Sequence, residues 1–158
     1  MTTDVRTLCL LLTTVVTGAV AMAARQPKAT VKLTASSDGA DRLLVRVRVQ
    51  DLAGVPRHGG AEVVVAVIED GLATQVARGE NSGRTLRHAA VARSLTTLGG
   101  VAASAEDGTA DGSLPLSADW SRSHLSLIAL LQERDSRRIL GAATLRLDTT
   151  AARFGGRR

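Results

Sequence analysis

The sequence predicts an all-β fold, an antiparallel β-sandwich of about seven to eight short strands preceded by an N-terminal apolar segment. Three observations carry this. Side-chain polarity alternates with period two from about position 29 onward. Gly-, Pro- and Asp-rich turn signals separate the alternating runs. No clear helical pattern lies between them, so a parallel α/β sheet is disfavoured and two packed antiparallel layers are the economical solution.

Val31, Leu33 and Ala35 alternate with Lys32 and Thr34, and Ser36-Ser37-Asp38-Gly39 reads as a turn. Leu43, Val45, Val47 and Val49 then alternate with Leu44, Arg46, Arg48 and Gln50, the pattern of a strand with one dry face and one wet face. The run Val63-Val64-Val65-Ala66-Val67-Ile68 is continuously apolar and almost wholly β-branched, which predicts a central strand covered on both faces. Asp70-Gly71 is a tight-turn dipeptide, so Leu72 to Arg78 is expected to return as its hairpin partner. Gly79 to Gly83 reads as a loop. Leu86 to Leu98 is ambiguous between strand and helix, and its neighbours favour strand. Gly99 to Gly112 is polar and Gly-rich and predicts a mobile connection. Leu114-Pro115-Leu116 starts an edge strand, where Pro is tolerated. His124 to Gln132 and Arg138 to Leu147 predict two further strands, with Gly141 marking a bulge or a close backbone approach.

The segment Thr7 to Ala24 carries no charge, follows Arg6, and ends in small residues such as Ala21-Met22-Ala23. That is the layout of a secretory signal, although Asp4 dilutes the positive start. An uncleaved anchor and a mis-assigned start are the other readings. The expected organisation is therefore residues 1–25 as a signal-like or anchor segment, 26–148 as the sandwich domain and 149–158 as a basic flexible tail. A periplasmic or secreted location follows from the signal reading; a membrane-anchored chain, or a cytoplasmic one, follows from the other two.

The net charge of +5 comes almost wholly from arginine, Lys28 and Lys32 being the only lysines. The arginines are dispersed and only Trp120 and Phe154 are aromatic, so no specific nucleic-acid site is expected. A basic anion-binding module remains an alternative. Cys9 is the single cysteine, which excludes an internal disulfide, and His58, His88 and His124 have no metal-ligand spacing. No metal and no cofactor are expected.

The densest polar stretch runs from Glu69 to Leu95 and contains Glu80, Asn81, Arg84, Arg87, His88 and Arg93. These six are the candidate binding residues or structural polar network, and no catalytic residue is assigned. Gly79 to Thr85 resembles a phosphate loop but has three residues between its glycines and Arg where Lys is required. His88 with a nearby serine lacks a nucleophile elbow. Glu69, Asp70 and Glu80 lie near Arg78, Arg84 and Arg87 in sequence, which points to structural bridges and depressed carboxyl pKa values more than to acid–base work. Trp120 is expected to plug one end of the sandwich.

Arg78-Gly79-Glu80-Asn81-Ser82-Gly83-Arg84-Thr85-Leu86-Arg87-His88 with Val91-Ala92-Arg93 resembles the C-terminal part of a family of secreted bacterial proteins, domain of unknown function 1223. Pro27 to Val31, Glu69 to Leu72, Gln132-Glu133 and Ile139 to Ala143 support the resemblance, which covers Gln26 to Leu147. It implies a β-rich domain that follows a thioredoxin-like domain bearing Cys-x-x-Cys. No Cys-x-x-Cys is present here, so the redox function is not carried over. The expected function is that of an exported, non-catalytic module, structural or protein-interacting. Its partner would be another protein or a companion thioredoxin-like domain, without membrane contact unless the N-terminal segment is uncleaved. The enzymatic alternative is a redox-associated or hydrolytic auxiliary using His88 and Glu80.

Overall fold

A computed structural model of the chain describes residues 28–147 apart from positions 54, 56 and 57. The expected N-terminal segment of residues 1–25 and the basic tail of 149–158 lie outside the described residues. Among the described residues there are nine strands: β1 (Thr30–Ser37), β2 (Arg42–Gln50), β3 (Ala61–Glu69), β4 (Leu72–Gln75), β5 (Thr85–His88), β6 (Val91–Val101), β7 (Gly108–Pro115), β8 (Leu125–Glu133) and β9 (Ile139–Arg146). Sheet A has the order β1-β2-β7 and sheet B the order β6-β3-β8-β9, while β4 and β5 form a separate two-stranded ribbon. Every pairing is antiparallel. The expected all-β antiparallel sandwich is what the chain forms.

Alternation builds the interior. In β2 the side chains of Leu43, Val45, Val47 and Val49 are buried and those between them exposed. They meet Val63, Val65 and Val67 of β3 and Leu125, Leu127, Ala129 and Leu131 of β8 in one aliphatic core. Burying each Val or Leu contributes about 1.5–3 kcal/mol, so the aliphatic side chains supply most of the core's stabilisation.

Three local expectations need correction. Asp70-Gly71 does turn the chain, with Gly71 at φ 75°, but Leu72 onward does not return along β3. β4 pairs instead with β5, Leu72 opposite His88 and Gln75 opposite Thr85. Both places beside β3 are taken by longer strands, β6 and β8, which offer it more hydrogen bonds and more apolar contact. Secondly, residues 86–98 are not one strand. The chain turns at Ala90, held at φ 53°, and the Asp70 carboxylate accepts the Ala90 N–H at 2.7 Å. Thirdly, the Gly-rich stretch 99–112 is not a free loop: it supplies the end of β6 and the first five of the eight residues of β7.

The outer face of β3 also departs from expectation. Ala66 and Ile68 are buried yet stand apart from the core cluster. They are shielded by neighbours in their own sheet, with Leu95 and Ile128 flanking Ala66. Among the described residues no further sheet lies over them, and Leu95 is 67% exposed. The sequence pattern of a doubly covered strand arises here from the central position of β3 in a wide sheet.

Bulges and glycines close the sandwich. Register shifts leave Leu98, Arg93 and Leu140 each without a directly opposed residue. An extra residue of this kind re-aims its side chain, and Leu98 and Leu140 thereby pack on the core. At one edge β6 and β7 of opposite sheets approach so closely that a Cβ on Gly112 would lie 2.6 Å from a Leu98 methyl. At the other edge the Ala29 N–H bonds the Leu140 carbonyl at 2.8 Å. There a Cβ on Gly141 would sit 2.5 Å from the Ala29 carbonyl oxygen, a backbone atom that cannot swing aside. Gly141→Ala is therefore expected to lower stability by about 1–3 kcal/mol, read as an earlier midpoint in urea unfolding. An unchanged midpoint would show that this seam is loose.

Candidate functional site

The ribbon β4–β5 grows from the end of sheet B. Glu69 at the end of β3 is opposite Val91 at the start of β6, so residues 70–90 are an excursion inserted at the tip of the β3–β6 hairpin. The tip is held by its own backbone: Val76 N–H to Arg84 O at 2.9 Å, Gly83 N–H to Val76 O at 2.9 Å and Arg84 N–H to Asn81 O at 3.1 Å. The Ser82 hydroxyl adds a bond to Ala77 O. Gly79 and Gly83 occupy φ 88° and 80°, values open to glycine at no steric cost.

Five of the six predicted residues, Glu80, Asn81, Arg84, Arg87 and His88, are exposed on this ribbon. They therefore do not form a buried network. The His88 Nε2 and the Thr74 hydroxyl are 2.9 Å apart across the ribbon. Glu80 is in the tip, beyond the Gln75–Thr85 pair, while His88 closes the base. Three residue pairs separate the two levels, a rise of about 10 Å, so His88 and Glu80 do not face each other as an acid–base pair. The ribbon nonetheless gathers Arg78, Arg84 and Arg87, all exposed, on one short projection. Guanidinium groups so placed can fork onto carboxylates of another surface.

Arg93, the sixth residue, behaves differently. The bulge at Val67/Ile68 turns it toward the end of the sandwich. There its Nε lies 3.3 Å from Glu69 Oε2, its Nη2 3.4 Å from Asp119, and its guanidinium 5.3 Å from the centre of the Trp120 ring. Glu69 is 2% exposed, and its other oxygen accepts the Ser121 N–H at 2.8 Å. The Asp119 carboxyl is held below the usual aspartate range, first by the Ser117 hydroxyl and also by Arg93. Trp120 packs against the core at this end, the position expected of it. The bridge expected between Glu69 and the ribbon arginines is made instead by Arg93, because strand register and not sequence proximity decides the neighbour.

The opposite end of the sandwich repeats the arrangement with residues the sequence reading missed. Glu133, at the end of β8, is 3% exposed. One oxygen accepts the His58 N–H at 2.6 Å, and the other accepts the Ser136 hydroxyl and lies 3.4 Å from Arg138. Its carboxyl is held below the usual glutamate range by the Ser136 hydroxyl first, then the His58 N–H and Arg138. The only sequence signal was a glutamate closing an alternating strand on its apolar phase, after Leu127, Ala129 and Leu131.

Among the described residues no group of three or more His, Cys, Asp or Glu could hold a metal ion. No described helix is long and apolar enough to cross a membrane.

A family described as a protein of unknown function, DUF1223, matches residues 12–132. The chain belongs to this family. Within the DUF1223 match fall the ribbon, Glu69 with its partners Arg93 and Ser121, and part of the N-terminal apolar segment, while Glu133 and β9 lie beyond it. No curated protein matches the chain. Among solved structures it is similar to HBP35 of Porphyromonas gingivalis, with 15% identity and a TM-score of 0.50 over 83% of this chain. The chain spans 44% of that protein's length. A domain of the outer membrane lipoprotein Omp28 from Porphyromonas gingivalis aligns over 77% of this chain and 89% of that one, with 14% identity and a TM-score of 0.47.

Two outcomes follow. Arg93→Ala leaves the Glu69 carboxylate buried without its cation and should cost about 2–3 kcal/mol, whereas Arg84→Ala and Arg87→Ala, being exposed, should stay within about 0.5 kcal/mol. Thermal melts of the three variants check this. For Glu133 the native pKa is depressed, so its stabilisation is complete above the ordinary glutamate value of about 4.3 and fades as pH falls through the lower native value. The difference in melting temperature between the wild type and Glu133→Gln should thus be large at pH 7 and shrink steadily in acid. A difference that stays constant with pH would remove the carboxylate from the account.

Proposed function

We propose that this DUF1223 chain is a non-catalytic interaction module whose projecting ribbon docks onto another protein. One observation carries the reading: Glu80, Asn81, Arg84, Arg87 and His88 stand exposed on a ribbon that is pinned at its base and held by its own backbone at its tip. A rigid projection loses little conformational entropy on binding, and its guanidinium forks suit an acidic recognition surface. The two buried carboxylates are already engaged by backbone donors and arginines, which supports a structural role for them. Export is part of the proposal and rests on the uncharged segment Thr7 to Ala24. A companion thioredoxin-like domain fits as partner if it presents carboxylates to the ribbon.

A photo-crosslinking side chain placed at Thr85 in living cells should capture one discrete protein. The pair Arg84→Glu and Arg87→Glu should abolish that capture while the melting temperature moves by no more than about 2 °C. Capture that persists after charge reversal, or a large fall in melting temperature, would overturn the reading.

A further inference from the structure

The outer face of sheet A has a chemistry that neither the ribbon nor the core uses. Its outward side chains come from alternate positions of three strands and are almost all polar. β2 contributes Arg42, Arg46 and Arg48, and β1 contributes Lys32. Against these four cations the strands of the face carry one carboxylate, Asp111 of β7, and a second, Asp107, stands just before β7 on the Arg48 side. Asp111 is opposite Arg46 and pairs with it at 2.6 Å, raising the Arg46 pKa. Among the described residues no carboxylate lies within ion-pair distance of Lys32, Arg42 or Arg48.

Lys32 and Arg48 are directly opposed across the β1–β2 ladder. Like charges in that position destabilise a sheet by a few tenths of a kcal/mol or more. An anion seated between them would turn this repulsion into attraction. Beside them Thr34, Ser36, Leu44, Arg46, Asp111 and Ser113 line a shallow hollow of about 600 Å³, within the size range of small-molecule sites. On the other side Arg48, Gln50, Asp107 and Thr109 line a smaller one of about 230 Å³. Arg46 and Arg48 are thus successive outward positions of β2, a rise of about 7 Å apart, and hydroxyl side chains of β1 and β7 flank them.

We infer that this face binds an anionic sugar chain, with Lys32 and Arg48 clasping one carboxylate or sulfate and Arg42 a second. Hydroxyl and amide side chains suit the sugar hydroxyls between the charges. No aromatic side chain stands on the face, so it offers no stacking platform for bases, which disfavours single-stranded nucleic acid as the ligand.

Titration of the full chain with a polygalacturonate oligomer, a sulfated heparin hexasaccharide, neutral maltohexaose and a 24-bp DNA duplex tests this. The two acidic sugars separate carboxylate from sulfate as the recognised group, and binding by either one supports the inference. Their affinity should fall as salt rises, and maltohexaose should not bind. Lys32→Glu should weaken binding at least about tenfold and raise the melting temperature, because repulsion with Arg48 becomes a cross-strand pair. Arg48→Gln should weaken binding similarly, and the ribbon pair Arg84→Glu with Arg87→Glu should leave it unchanged. Failure of both acidic sugars to bind at low salt, equally tight binding of the DNA, or loss of binding in the ribbon variant alone would overturn the inference. The last outcome would assign the sugar to the ribbon.

Discussion

Two buried glutamates hold the sandwich together where it is hardest to hold. Glu69 ends β3 and Glu133 ends β8, and because these central strands are antiparallel neighbours the two carboxylates sit at opposite ends of sheet B. Each accepts a backbone N–H from a loop that crosses between the sheets, Ser121 on the way from β7 to β8 and His58 on the way from β2 to β3. Each is also faced by an arginine. A charge at the margin of an apolar core is tolerated only when it is paired and hydrogen-bonded, and here the pairing fixes the crossovers that set one sheet on the other. The aliphatic interior supplies most of the stabilisation but is non-directional; the carboxylates supply direction.

The flanks are closed differently, by removing side chains. Gly112 lets β7 approach Leu98, and Gly141 lets the chain at Ala29 meet β9. Two of the three bulges complement the glycines, since they turn Leu98 and Leu140 into the space that the missing Cβ atoms leave open to the core. Among the described residues Trp120, at one end, is the single aromatic side chain packed on the core, and the aliphatic ones fill the volume through such close approach.

This economy leaves three surfaces of distinct character: a ribbon carrying arginines, a basic and hydroxyl-rich face on sheet A, and an apolar face on sheet B crossed by Leu95, Ile128 and Val64. The ribbon depends on the clamp beneath it, for Glu69 and Arg93 hold the base from which it projects and Asp70 caps the turn by which it returns. A polar stretch that reads as one motif in the sequence therefore divides into two structural settings. Arg93 pairs with Glu69 at the sandwich end, and the residues from Glu80 to His88 stand exposed on the ribbon.

The class of fold and the long strands are legible in local order: period-two alternation states which face is dry from Leu43 to Val49 and from Leu125 to Glu133, and the β-branched composition of Val63 to Ile68 marks a strand without saying which face is covered. Gly141 announced its close approach for the same local reason, a missing Cβ. Which strands pair is set by contacts between segments far apart in sequence. The contest between β4, β6 and β8 for the sides of β3 was settled by total contact across the sheet, and the sequence around Asp70-Gly71 carries no trace of it. Glu69 found Arg93 and not a nearer arginine because a bulge, set by register, re-aimed that side chain. The Gly-rich stretch read as a loop because its glycines serve a seam with another sheet, and a constraint between strands distant in sequence leaves no periodicity behind. Local alternation fixes which side chains turn inward; non-local pairing fixes what they meet there.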